Sequence, residues 1–199
     1  MGALSKLEAV NRILRFAGEY PVSSLSSSGL NDTLVAERIL DEATLHYQLP
    51  GLNFNTVTKT LTPDVEGKIY IPDDTIWVDS TGTNLNKNLV QKGRSPTYLF
   101  DADENTDVFT DSVKVKIVSK TPFEELPTAD QFAVTDAAAR TYQMTVVGDV
   151  NQDAMINEQY MMSRIQARAA DIRSRDWNFT SNLRSYWPQS AAKRRFNAD

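Results

Sequence analysis

Apolar residues recur at three- and four-residue intervals from the start of the chain: Leu4, Leu7, Val10, Leu14 and Ala17, with Ile13 and Phe16 widening the stripe. That period predicts an amphipathic helix. Gly18 can take the left-handed position that closes it, and Tyr20-Pro21 forbids continuation. The serine-rich stretch Ser23 to Gly29 is expected to be a mobile loop. A second helix should start at Asn31 or Asp32, either of which can cap it. Its buried face is expected at Ala36, Ile39, Leu40, Ala43 and Tyr47, and Pro50-Gly51 ends it.

The period then changes from helical to alternating. Phe54 to Leu61 is rich in β-branched residues, and Lys68–Ile71, Ile76–Val78 and Leu89–Gln91 read as short strands. Val113, Val115 and Ile117 alternate with Lys114 and Lys116, the clearest two-residue period in the chain. Short strands separated by turns predict an antiparallel sheet or small sandwich. Helix returns at Thr128, where Thr128-Ala129-Asp130-Gln131 has the spacing of a capping box. It should run to Val147 and stop at Gly148. A long helix follows from about Asn151 to Asp176, roughly 40 Å at 1.5 Å per residue. Ala154, Met161, Ile165, Ala169 and Ile172 share one of its faces.

The expected class is therefore α+β. A bundle of about four helices, from residues 1–50 and 123–177, carries an inserted antiparallel β domain at 51–122. An extended C-terminal tail occupies 178–199. The chain has 199 residues, enough for a real core without staples, and it contains no cysteine, so disulfide and thiolate chemistry are excluded. No run approaches the ~18 apolar residues that span a bilayer, so no membrane segment is expected. The start Met1-Gly2 lacks the Ser or Thr at position six that a myristoylation signal needs.

Charge is uneven. The net charge of −5 divides into −10 over residues 1–162 and +6 over 163–195, with Asp199 adding the last −1. An acidic body with a basic end attracts its own neighbours or an acidic partner, and is a poor design for wrapping DNA.

Candidate chemistry is sparse. His46, the single histidine, sits beside Tyr47 near a helix end, where a structural role is expected. No nucleophile, base and orienting group can be drawn together. Asp101-Ala102-Asp103-Glu104-Asn105-Thr106-Asp107 has oxygens at alternate positions, but Thr106 and Ser112 stand where a calcium loop needs glycine and glutamate. An acidic turn between strands is the expectation. Asp73-Asp74 and Glu124-Glu125 beside Pro72 and Pro122 read as turn and helix-entry chemistry. No catalytic, cofactor-binding or metal residue is assigned.

Two features point to partners instead. Arg164, Arg168 and Arg175 fall on one face of the long helix with Asp171 between them. Ion pairs on a solvated face explain them, and an inter-subunit contact is the alternative. The tail holds Trp177, Phe179, Tyr186, Trp187 and Phe196 among Arg184, Lys193, Arg194 and Arg195. Aromatics interleaved with arginine are costly to leave in water and typify interface hot spots. Three places suit such a tail: the protein's own body, another chain, or single-stranded nucleic acid stacked on the rings.

Three stretches resemble a known family. They are Leu7-Glu8-Ala9-Val10-Asn11-Arg12-Ile13-Leu14 followed by Gly18-Glu19-Tyr20-Pro21-Val22-Ser23-Ser24-Leu25; Ala36-Glu37-Arg38-Ile39-Leu40 with Leu52-Asn53-Phe54-Asn55; and Pro122-Phe123-Glu124-Glu125-Leu126-Pro127 leading into Ala137-Ala138-Ala139-Arg140. In this order they are similar to the tail tubular protein A family, the head-to-tail adaptors of T7-like short-tailed bacteriophages. Leu52 stands where that family usually has tryptophan. The resemblance implies a helical bundle with a β domain, and a non-catalytic structural role. It implies a ring of twelve copies between the portal protein and a nozzle protein of the tail tubular protein B type, with tail fibres a further candidate partner. DNA would pass through the lumen without specific binding. The protein would be made in the host cytoplasm and end in the virion tail. Trp177, Phe179, Arg184, Tyr186, Trp187, Lys193, Arg194, Arg195 and Phe196 would form a portal-docking arm, and Arg164, Arg168 and Arg175 would serve inter-subunit contacts. The alternative reading is a nucleic-acid-binding protein using the basic aromatic tail. A tail-borne cell-wall hydrolase is disfavoured, because no convergent carboxylate pair can be drawn.

Overall fold

Residues 2–25, 31–82 and 87–174 are described by the structure, a computed structural model. Arg175 and the tail from Trp177 to Phe196 lie outside the described residues. Helix α1 (Lys6–Phe16) opens with a capping box: the Ser5 hydroxyl accepts from Glu8 N–H, and the Glu8 carboxylate accepts from Ser5 N–H at 2.8 Å. It closes as expected at Gly18, φ 80°, with Glu19 N–H on Leu14 O (2.9 Å) and Gly18 N–H on Arg15 O (3.1 Å). That pair of bonds is a Schellman motif. Helix α2 (Asn31–Gln48) buries Thr33, Ala36, Leu40, Thr44 and Gln48.

Two three-stranded antiparallel sheets follow. β1 (Thr56–Leu61), β6 (Val113–Ser119) and β3 (Thr75–Ser80) form one, with β6 central; β2 (Tyr70–Ile71), β5 (Thr97–Asp101) and β4 (Leu89–Lys92) form the other, with β5 central. Val113, Val115 and Ile117 of β6 point inward and meet Ile71, Leu89 and Leu99 of the second sheet in one core. The alternation of β6 was legible, whereas β5 was not. Its Tyr98-Leu99-Phe100 run is apolar throughout, so no two-residue period marks it. It is a strand because it pairs on both sides.

α3 (Thr128–Tyr142) is the centre of the bundle and packs on α1, α2 and α4 (Val150–Ser174). Ala133, Ala138 and Ala139 keep its surface low, so three helices can approach. The core around it collects Val10, Ile13, Leu14, Leu40, Val134, Tyr142 and Ile156. α3 does not start with the expected capping box: Pro127 is its N-cap and no side chain caps it. Gln131 is drawn away into tertiary contacts. Its Oε1 accepts from Leu4 N–H (2.8 Å) and its Nε2 donates to Phe123 O (3.1 Å). At the other end the helix widens into a π turn, Gln143–Val147, and stops at Gly148, φ 74°.

Gln48 joins the two cores. It is fully buried where the chain leaves the bundle, and Thr121 lies where the chain returns. Gln48 Nε2 donates to Thr121 O (2.9 Å) and Gln48 Oε1 accepts from Thr121 N–H (2.7 Å). Asn55 Nδ2 adds bonds to Gln48 O (3.3 Å) and Ser119 O (3.2 Å). Gly51, φ 76°, lets the chain turn here, since a Cβ would meet Val118 Cγ2 at 2.8 Å.

Gln48→Ala orphans both polar groups of Thr121. It should lower unfolding free energy by about 2–4 kcal/mol in urea titration and speed amide exchange at Thr121.

Candidate interaction surface

α4 has two apolar faces. Ile156, Ser163 and Ala167 face α3 and are buried. The stripe that the sequence makes plainest points the other way: Met161, Ile165 and Ile172 are exposed, joined by Met155 and Met162. Met155, Met162, Ile165, Ala169 and Ile172 sit on alternating three- and four-residue steps, with Glu158 the one polar member. Such spacing forms a seam for another helix. α2 is similar: Leu34, Val35 and Leu45 are exposed, as is Leu49 just past its end.

Between the end of α2 and α4 lies a cleft of about 610 Å³, lined by His46, Tyr47, Leu52, Tyr160, Arg164 and Arg168 among others. Arg164 and Arg168 are exposed there, and among the described residues neither has a carboxylate within ion-pair distance. The expected Arg168–Asp171 pair is therefore not made. Asp171 Oδ1 instead accepts from Asn53 N–H (2.7 Å), and Asn53 Nδ2 donates to Ser174 Oγ (2.8 Å). A backbone donor at a fixed position holds the carboxylate more firmly than a long exposed arginine does. The result latches the end of α4 to the start of the β segment. Arg175, and every tail residue assigned to docking, lie outside the described residues.

Beneath the cleft the Tyr47 hydroxyl donates to Asp130 Oδ1 (2.7 Å). Burial raises the Asp130 pKa; the Tyr47 hydrogen bond opposes that, and the Asp171 charge adds to it. Burial first, then the bond to Asp130, pushes the Tyr47 hydroxyl far above its ordinary value.

The acidic loop after β5 is a turn. Asp101 Oδ2 accepts from Lys87 Nζ (2.9 Å), and its Oδ1 from Asp103 N–H (3.1 Å) and Glu104 N–H (3.2 Å). Burial alone would raise the Asp101 pKa, but Lys87 and these N–H groups outweigh it and hold it below the usual range. Those oxygens are committed to protein donors. Among the described residues no group of three His, Asp or Glu side chains is placed to hold a metal. Asp73 likewise takes Ser95 Oγ (2.9 Å) and Thr97 N–H (3.3 Å) in a turn. His46 is exposed at the cleft mouth.

Sequence reasoning missed Gln48, Met155 and Met162. Nothing local marks Gln48. The methionines carried a signal, the seven-residue step Met155–Met162–Ala169, which continues the steps of Ile165 and Ile172.

Two joined cores carry helix faces that are exposed and apolar, which are candidate contact surfaces. A family model described as tail tubular protein matches residues 7–177. Tail tubular protein A of Klebsiella phage KP34 is 30% identical over 149 residues, which are 74% of this chain and 77% of that protein. The chain belongs to the tail tubular protein family, and is a structural subunit of a phage tail, part of the virion.

Asp130→Asn keeps an acceptor for Tyr47 and removes the buried charge. The folded state of the native chain holds the Asp130 proton more tightly than the unfolded chain, so the cost of ionisation is present above the folded-state pKa and fades as pH falls through it. The variant should be the more stable at neutral pH, and its advantage should shrink towards about pH 4. Urea melts at several pH values check this.

Proposed function

We propose that the chain is an adaptor subunit that forms a ring, connects the portal to the tail nozzle, and lets DNA pass through the centre. The observation that carries this is the outward stripe of α4. Met155, Met162, Ile165 and Ile172 are 74%, 59%, 61% and 49% exposed, on a helix that already buries its opposite face. A protein that acts alone gains nothing from such a stripe, whereas an assembly buries it.

In this reading residues 1–50 and 123–177 act as the bundle that makes ring contacts, and 51–122 as the β domain that meets the nozzle or fibres. Residues 178–199 act as the arm that docks on the portal, through Trp177 at its root and Phe179, Arg184, Tyr186, Trp187, Lys193, Arg194, Arg195 and Phe196. The acidic body lets DNA slide without sticking. Synthesis takes place in the host cytoplasm before assembly.

Ile165→Asp should leave far-UV circular dichroism and the melting midpoint unchanged, since the side chain is exposed, and should abolish incorporation into tails. Normal incorporation counts against the role of α4. Deleting residues 178–199 should abolish co-sedimentation with the portal while the body melts as before. Retained portal binding would dismiss the docking arm, and a melted body would show that the tail belongs to the core.

A further inference from the structure

α2 and α4 both pack on α3 but scarcely on each other, and each turns an exposed face to solvent. Both faces carry apolar residues at helical spacing. On α2 these are Val35 and Leu45, 39% and 38% exposed, interleaved with Arg38 and Glu42, and Leu49 just past the helix end is 42% exposed. The charges of α2 and of the second half of α4 are opposite, whereas α4 as a whole is balanced, with Asp153, Glu158 and Asp171 against Arg164, Arg168 and Arg173. α2 holds Asp32, Glu37, Asp41 and Glu42 against Arg38. Lys6 of α1 pairs with Glu37 and Asp41 (both 2.9 Å), and the face stays net negative. The second half of α4 holds Arg164, Arg168 and Arg173 against Asp171, whose Oδ1 is given to Asn53 N–H.

We propose that the outer face of α4 packs head to tail on the outer face of α2 in a second copy of this chain. Met155, Met162, Ile165 and Ile172 meet Val35, Leu45 and Leu49, while Arg164 and Arg168 approach Asp41 and Glu42. The inference rests on the reading that the chain assembles with its own copies, and names the two faces that do so. A chain that carries both halves of a complementary pair can take its own copy as the partner. Such a contact is heterologous, so it repeats from copy to copy and closes into a ring when the rotation allows. The three- and four-residue steps of the α4 stripe, and of Val35, Arg38, Glu42 and Leu45 on α2, suit ridges-into-grooves packing at a shallow crossing angle. Partial rather than full charge pairing leaves register to the apolar steps and gives the arginines a role in orientation and encounter.

The absence of cysteine makes the test clean. Full-length Leu45→Cys, carrying an affinity tag, is mixed with untagged full-length Ile165→Cys and oxidised. A second pair, Arg38→Cys with Ile165→Cys, covers a two-turn slip in register. The expected result is a tagged–untagged disulfide dimer from one of the mixtures, little product from any single variant, and a ladder from the double variant. Rapid dimerisation of Ile165→Cys alone would overturn the pairing in favour of α4 on α4. Cross-linking only after residues 175–199 are deleted would overturn it in favour of the chain's own tail as the cover. No cross-link from a chain that still sediments as an oligomer overturns the named faces and leaves self-assembly standing. No cross-link from a chain that stays monomeric overturns both.

Discussion

The side-chain amide of Gln48 holds the outgoing and returning chain together where the bundle meets the β segment, and the rest of the architecture depends on that junction. An insertion between two helical halves needs its ends side by side, and loop closure has an entropic cost. Gln48 meets both polar groups of Thr121, as a neighbouring strand would, in a place with no strand to offer. Asn55 Nδ2 likewise bonds the outgoing chain at Gln48 O and the returning chain at Ser119 O, and Trp77 Nε1 donates to Leu49 O (2.8 Å) from the β side. Buried polar groups satisfied in this way fix one geometry, because any other arrangement leaves them unpaired.

From that junction the bundle is organised around α3. A helix surrounded on three sides cannot show a clean stripe, and α3 buries Asp130, Gln131, Thr135 and Asp136 along with its alanines. Each has a partner: Tyr47 for Asp130, Leu4 N–H and Phe123 O for Gln131, Gln131 O for Thr135, Arg12 for Asp136 (2.9 Å). Arg12 also lies over the Phe16 and Phe132 rings, so one cation joins α1 to α3 by charge and by ring contact. With α3 enclosed, α2 and α4 become the outer walls. Their far sides are then the helical surfaces that the protein offers to solvent.

Local chemistry gave way wherever a longer-range partner was available. Thr128 to Gln131 has capping-box spacing, yet Gln131 serves Leu4 and Phe123. Arg168 and Asp171 have ion-pair spacing, yet Asp171 serves Asn53. The true capping box, Ser5 with Glu8, lies at an exposed end where nothing competes.

The sequence by itself determined the helices, the class α+β, the alternation of β6 and the stop at Gly18, because those follow from periodicity and backbone sterics over a few residues. It also carried the family, in stretches such as Leu7–Leu14 and Pro122–Pro127. Only the tertiary structure decided which face of α4 is buried. Two apolar stripes compete on that helix, and the one of smaller residues, Ser163 and Ala167 with Ile156, allows close approach to α3 and wins. It likewise decided that β5 is the centre of a sheet and that Gln48 is the joint between cores. Pairing and burial are relations between distant residues, and no local pattern encodes them.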